Sequence, residues 1–323
     1  MPRTRILYVH HREDLGGAPR SLAELIAHLD HRFEPHVYVP PGRSAELFAQ
    51  AGAEVHTGPV AMFSHSWDNP YAGLRWLLIG REAARAPAHI HRLGGLMQRH
   101  RFPIVHLNEA QLLPAAAVAK RAGAKVVWHL RSSLASSGVL RRRLVARAID
   151  HWGDTAIAID EDVAASFPLR IPLHVVFNSA EVPIGALDRH TARVRMGLPP
   201  DADVVVGAVG HLRRIKGWED LVRAVALLPA ERVHLVFVGG GVRSASFFAT
   251  LRGRLLAGLG LAEDEERAAR ALVVELGIAN RVSFVPYADH LGAVYPAFDI
   301  VAFPNRGVGI GRPALEGAAF GEP

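Results

Sequence analysis

Two glycine-punctuated turns carry the residue types that a phosphate-rich ligand requires. GHLRRIKG (210–217) gathers His211, Arg213, Arg214 and Lys216 into one turn after the apolar run VVVGAV (204–209), just before a helical pattern. Cations at a strand end of this kind can neutralise a departing diphosphate. The phosphate-loop pattern GxxxxGK[ST] occurs nowhere in the chain. The second turn, GVGIGRPALEG (307–317), follows the apolar run DIVAFP (299–304). There the amides of Gly309, Ile310 and Gly311 can form an anion nest at a helix start. Glu316, one turn later, can accept from sugar or ribose hydroxyls. The plain alternatives are solvated arginines in the first turn and a glycine-rich turn with a helix-surface glutamate in the second.

Two further positions belong to the first half. KVVWHLRSS (125–133) leaves His129 at the carboxyl end of a strand beside Arg131. A histidine there can donate to a polar substrate group or shuttle a proton; a packed histidine bonded to a carbonyl is the alternative. LGGAPRSLAELIAHL (15–29) puts Gly16 and Gly17 between the first strand and first helix, where the backbone can approach a ligand at a helix N-terminus.

The elements that must position these residues form a simple alternation. Strand-like runs stand at 6–10, 36–40, 53–57, 104–108, 126–130, 156–160 and 174–178. Amphipathic stretches lie between them at 19–30, 44–52, 112–123 and 139–152. Such alternation implies a parallel sheet covered by helices on both faces. Residues 179–200, with Pro183, Gly185, Gly197, Pro199 and Pro200, interrupt it as a boundary. The pattern restarts with strands at 204–209, 233–240, 281–286 and 299–304. A long helical region (243–276) is expected to break near Gly258–Gly260 and to expose an acidic, solvated turn at 263–266. The fold class expected is α/β, with two doubly wound domains at 1–180 and 186–323.

Composition excludes several classes. A chain of 323 residues with half its residues apolar and a fifth charged is soluble-globular in type and long enough for two domains. The absence of cysteine removes disulfides, thiolate nucleophiles, iron–sulfur clusters and thiolate zinc sites. No metal-ligand spacing is visible. The first residues read as a strand, not a signal peptide, and the lack of cysteine is compatible with a reducing cytoplasm, the expected location. Lys and Arg outnumber Asp and Glu by 21 to 16 in residues 1–185 and by 16 to 15 in the rest. A basic first half suits an anionic partner such as a lipid surface or phosphorylated acceptor, giving peripheral contact with the inner face of a membrane. Solvated helix faces explain it equally well. No nucleic-acid motif appears.

Taken in order, GGAPRSLAELIAHL, His129, AIAIDEDVAASF, HVVFNSAEV, RVRMGLP, the Lys216–Gly217 turn, VFVGGG, NRVSFVPY and the last glycine-rich segment resemble the retaining, nucleotide-sugar-dependent glycosyltransferases of the GT-B fold, family 4. The resemblance spans the whole chain. It implies two Rossmann-like domains facing each other over a cleft, with a nucleoside diphosphate sugar as donor. A hydroxyl of a glycan or lipid-linked molecule is the acceptor, with cell-surface glycan or glycolipid synthesis as the setting, and neither cofactor nor metal is required. By position, Lys216 matches the lysine on the donor diphosphate, Glu316 the ribose-binding glutamate, and Gly309 and Gly311 the phosphate-binding backbone. His129 matches the histidine near the donor sugar, Gly16 and Gly17 the cleft glycine loop, and residues 284–287 the backbone that holds the nucleobase.

Three departures from that family stand out. Val308 occupies the place of a first glutamate, and His211 that of a phosphate arginine, which Arg213 or Arg214 could replace. The second domain is also expected to be incomplete, lacking its last strands and return helix after Pro323. A truncated or degenerate non-catalytic nucleotide-sugar binder is therefore the main rival. A GT-B epimerase lacks identifiable carboxylates around the sugar. A dinucleotide oxidoreductase built on GGGVRS (239–244) fails because its acidic partner falls in a helical stretch.

Overall fold

The computed structural model describes all residues except 1–2, 64–75, 135–137, 181, 183–184, 200–202, 230–232, 287–289 and 308–310. The chain divides into two units, Met1–Asn178 and Ser179–Pro323.

The first unit is built on seven strands: β1 (Thr4–Val9), β2 (Phe33–Val39), β3 (Glu54–Thr57), β4 (Ile104–Leu107), β5 (Lys125–Leu130), β6 (Thr155–Ala158) and β7 (Leu173–Val175). They pair in the order β3-β2-β1-β4-β5-β6-β7, all parallel. Strand alternation sends successive side chains to opposite faces, and both faces are apolar here, as a doubly covered parallel sheet requires. Leu7 and Val9 pack with residues of the helices Leu77–His100, Leu113–Arg121 and Val139–Trp152. Ile6 and Tyr8 pack with residues of the helices Gly17–Ala27 and Arg43–Gln50. The helix Leu77–His100 is the one large element that sequence reading does not find. Pro87 and the pair Gly94–Gly95 interrupt its pattern, while Leu93, Leu96 and Met97 supply the buried stripe.

The second unit holds β8 (Val204–Val209), β9 (Val233–Val238), β10 (Val282–Val285) and β11 (Ile300–Val301), paired in parallel as β10-β9-β8-β11. Val206, Leu235 and Phe237 pack with Trp218, Val222, Ala269 and Leu272 of the helices Trp218–Ala226 and Glu265–Glu275. Val205, Val236 and Val238 pack on the other side with Ala192, Tyr295 and Phe298.

Three expectations are corrected in this unit. The boundary stretch is partly folded, with a helix Arg189–Arg195 capped by Asp188, in which Ala192 is buried and Arg193 pairs with Asp299. The run 299–304 pairs as a strand only over Ile300–Val301 before turning away. The region 243–276 forms three helices, Ala245–Ala249, Leu251–Gly258 and Glu265–Glu275, with the later break falling where the glycines place it. No helix among the described residues is long and apolar enough to cross a membrane.

Candidate functional site

In the second unit, β8 ends in Gly210, whose φ of +123° turns the chain away from the sheet. Leu212 N–H then donates to Gly240 O at 2.9 Å, joining the turn after β8 to the turn after β9. A short helical turn, Arg214–Lys216, ends at Gly217, which has φ +69° and caps the helix Trp218–Ala226. A Cβ at 217 would lie 1.9 Å from Pro304 O, so only glycine lets this turn pass beneath the chain leaving β11.

Lys216 lines a cavity of about 30 Å³ together with Gly210, His211, Trp218, Phe303 and Pro304. That volume holds little more than a water molecule or two, so it is a foothold for part of a ligand. The Lys216 ammonium stands 4.7 Å from the centre of the Phe303 ring, within cation–π range. Burial, reinforced by the Arg213 charge, pushes its pKa down to about 8. At neutral pH most molecules still carry the charge, held in a poorly solvated place where an anion would be attracted strongly.

Phe303 also explains Gly311. A Cβ at 311 would meet the tip of that ring at 2.1 Å, and the backbone there is extended (φ −80°) rather than left-handed. Gly311 is therefore required by close approach, and one aromatic ring brings the lysine turn and the glycine-rich turn together. Gly311 caps the helix Arg312–Ala319. Gly309 and Val308 lie outside the described residues, as does Tyr287 of the 284–287 segment.

Glu316 is neither the surface glutamate of the plain alternative nor an unengaged ribose acceptor. It is buried; Tyr295 Oη donates to one carboxylate oxygen at 2.5 Å and Arg312 Nε to the other at 2.8 Å. Any ribose hydroxyl would have to use the remaining lone pairs. Arg214 is exposed, its Nε 4.0 Å from Glu265, while Arg213 and His211 are half-buried in the same turn.

The acidic turn expected to be solvated proves to support this site. Glu265 is buried and accepts from the Trp218 indole at 3.0 Å and from Arg214 N–H at 3.4 Å. Burial, and then the neighbouring Glu263, push its carboxyl pKa up. Glu266 accepts from Gly241 N–H at 3.1 Å. Phe303, Glu265 and Glu266 were missed because strand ends and acidic helix starts look ordinary in sequence; only their contacts single them out.

In the first unit a polar cluster gathers at the carboxyl ends of β1, β4 and β5. Arg131 Nε donates to Asn108 Oδ1 at 2.5 Å, which fixes the amide so that its Nδ2 donates to His10 Nδ1 at 3.0 Å. Arg131 also reaches Asn178 at 3.1 Å and His129 Nδ1 at 3.4 Å. His106 Nε2 lies 3.0 Å from that same His129 Nδ1. With Nδ1 of His10 and of His129 accepting, each ring carries its proton on Nε2. Both Nε2 atoms are buried and bond to no described residue.

Burial, helped by neighbouring charge, holds His10 and His129 well below the usual histidine pKa, and takes His106 down to about 3. His129 is therefore a neutral N–H donor. Burial disfavours the imidazolium that a proton shuttle would pass through, and favours the donor half of the expectation. The carbonyl partner of the plain alternative is replaced by His106. Glu109, beside this cluster, is buried, accepts from Ser132 at 2.8 Å, and has its pKa raised by burial.

Gly16 caps the first helix in an extended conformation, and no protein atom lies within 4 Å of a Cβ built there. Gly17 opens the helix and is exposed. The packing around Gly16 does not demand a glycine.

Residues 203–323 match the family described as Glycosyl transferases group 1. The D-inositol 3-phosphate glycosyltransferase of Mycolicibacterium gilvum is 39% identical over 138 residues, covering 42% of this chain and 27% of that protein. The protein of the same name from Stackebrandtia nassauensis is 38% identical over 144 residues, covering 42% of this chain and 28% of that protein. The chain thus spans little more than a quarter of the length of the curated relatives it matches. Among solved structures, Anabaena HepE in complex with UDP-glucose is similar over 99% of this chain and 79% of its own, with TM-score 0.76 and 18% identity. WaaG, a glycosyltransferase involved in lipopolysaccharide biosynthesis, is similar over 99% of this chain and 80% of its own, with TM-score 0.64 and 15% identity. At such identities the likeness establishes the fold, and it bears out the GT-B expectation.

Proposed function

We propose, from the premise that residues 203–323 form a domain of the glycosyl transferases group 1 family, that this protein transfers a sugar from a nucleoside diphosphate sugar to a hydroxyl acceptor. The observation that carries the reading is the half-buried Lys216 ammonium, seated at the carboxyl end of β8 in a turn that is itself pinned by Gly217, Glu265 and Phe303. A leaving diphosphate is the charge such a cation suits. Its stabilisation needs no proton transfer, only fixed positive charge and N–H groups in a site of low dielectric. Binding of HepE to UDP-glucose supports a uridine nucleotide as the first donor to try. Arg213, Arg214 and His211 are assigned to the phosphates, together with the Gly309 and Gly311 amides, and Glu316 to the ribose.

His129, neutral and presenting Nε2–H, would donate to a sugar or acceptor hydroxyl. Gly16 and Gly17 leave room for that ligand. Retention of configuration, a glycan or lipid-linked acceptor, a role at the cell surface, independence of metal, and a cytoplasmic location with peripheral membrane contact complete the reading. Their basis is the family resemblance and the basic first half. The rival is a binder that does not catalyse, favoured by Val308 in place of a carboxylate.

Titration calorimetry with UDP and GDP tests the donor site. Lys216→Ala is expected to cost about 1.5–3 kcal/mol of nucleotide affinity, as for a hydrogen bond to a charged group. Wild-type affinity should be full below the Lys216 pKa and decline as pH rises above about 8, whereas Lys216→Arg, which stays protonated, should remain flat. Unchanged affinity in Lys216→Ala would remove the donor assignment. Tight nucleotide binding without hydrolysis or transfer of any sugar would favour the non-catalytic rival.

A further inference from the structure

We propose that His36, His56, His100 and Glu54 bind one divalent transition-metal ion, with zinc as the best match to the ligand set. The four residues come together through sheet register. In the parallel pair β2–β3, His36 lies opposite Glu54 and Tyr38 opposite His56. Residues 36, 54 and 56 thus share one face of the sheet. The helix Leu77–His100 ends over that face and delivers His100. One ligand-capable atom from each of the four lies within 4.8 Å of the others.

The spacings are those of a coordination shell. His36 Nδ1 is 3.2 Å from His56 Nε2. Glu54 places one oxygen 3.4 Å from His36 Nδ1 and the other 3.5 Å from His56 Nε2. Ligand atoms around a tetrahedral metal with bonds of about 2.0–2.1 Å stand ~3.4 Å apart, which His36, His56 and Glu54 already match, and His100, within 4.8 Å of them, would move inward to close the shell. Three imidazoles and a carboxylate suit zinc and, in the laboratory, cobalt or nickel; magnesium and calcium prefer oxygen-rich shells.

The surroundings fit the same purpose. His36 is almost wholly buried, and its other ring nitrogen, Nε2, faces Glu34 at 3.4 Å. A small shift would let Glu34 accept from that nitrogen, as outer-shell carboxylates do for metal-bound imidazoles. Phe102 packs edge-on against His36 and stacks on His100 at 5.3 Å, giving the site an apolar backing. Burial keeps His36 and His56 toward the neutral form that binds metal.

The cluster lies where the helix hands over to the amino end of β4, whereas His10, Asn108 and His129 follow or occupy the carboxyl ends of their strands. The bound ion would therefore clamp the four-residue edge strand β3 and the long helix to β2. It is a holding site, separate from the residues assigned to transfer.

Untagged full-length protein, stripped with EDTA and dialysed, provides the test. Zinc titrated by calorimetry should bind with one tight equivalent and raise the thermal midpoint of residues 1–178, and cobalt should give the intense visible bands of a low-coordinate site. His56→Ala and His100→Ala remove half-buried side chains, and each should weaken zinc binding at least tenfold. His56→Gln and His100→Gln keep volume and polarity should either alanine variant misfold. His151→Ala, an exposed histidine of the same unit, should leave binding unchanged. Absence of a stoichiometric zinc equivalent in the wild type would overturn the proposal. So would equal affinity in folded His56 and His100 variants.

Discussion

The two units share a design, since in each the first strand lies inside the sheet with the second and fourth beside it, yet they bury polarity differently. Residues 1–178 bury histidines: His10, His36, His89, His106 and His129 are all nearly inaccessible and all shifted toward the neutral form. Residues 179–323 hold charge that is paired or set against a ring: buried Arg193 with Asp299, buried Arg312 with Glu316, and half-buried Lys216 against Phe303. A neutral imidazole keeps two polar atoms in the core without the cost of an ion. A buried ion keeps its full charge for a ligand but costs stability while it waits. The first unit is thus the richer in neutral buried imidazoles, the second in charge held against a partner or a ring.

Acid should break the comparison most strongly. A histidine whose folded pKa is depressed contributes stability that is complete above its unfolded value near 6.5 and is lost as pH falls below it. Each such group then costs about 1.4 kcal/mol per pH unit. His106, held at about 3, should alone cost the first unit roughly 2–3 kcal/mol by pH 4.5, and His10 and His129 act in the same direction. In the second unit burial shifts His234 in the same direction. Hydrogen exchange followed by mass spectrometry between pH 7 and 4.5 should show 104–130 deprotecting before 204–238. The reverse order would mean that these rings are not buried and neutral as described.

Two glycines sharpen the comparison at the level of the backbone. Gly217→Ala forces a left-handed residue and a clash with Pro304 O, and should destabilise the second unit by roughly 2–4 kcal/mol. Gly16→Ala in the first unit meets nothing and needs no special φ, so its stability change should stay within about 0.5 kcal/mol. Urea unfolding midpoints would decide, and equal effects at the two sites would contradict the packing described.

The smallest effect is a gain. Burial lowers Lys216 from 10.5 to about 8, so at neutral pH the folded state carries a poorly solvated ammonium. Lys216→Met keeps the stem and discards the charge, and should stabilise the protein by roughly 1–3 kcal/mol while weakening nucleotide binding by about 1.5–3 kcal/mol. A loss of stability in that variant, read from urea midpoints, would show that the desolvation cost of the ammonium is more than offset in the folded state.

Sequence alone located all eleven strands to within a few residues, because a parallel sheet covered on both faces writes short apolar runs that stand out from helices. It also singled out Lys216, Gly311 and His129, each marked by a strand end and a turn. It did not find the helix Leu77–His100, whose stripe is interrupted by Pro87 and two glycines. Nor did it find Phe303, read as one more strand residue, or Glu265 and Glu266, read as solvent-facing. The histidine–glutamate group escaped for a different reason. Its ligands are distant in the chain, and only the register of β2 against β3 and the end of a long helix bring them together. The charge state of His129 was equally illegible, because desolvation depends on neighbours that residue type does not reveal.

The strand order has a bearing on synthesis at the ribosome. β8 is made first in its sheet yet ends inside it, with β9 along one side and β11 along the other. Ile300 comes to rest beside Val206 only after the intervening helices have emerged. Until then one flank of β8 has no sheet partner, so the lysine turn that follows it has neither Pro304 above it nor Phe303 beside its ammonium. The first unit waits likewise for β4 before β1 is flanked on both sides. In both halves the earliest segment made is among the last to be enclosed, a slow, long-range closure that local helix formation cannot hasten.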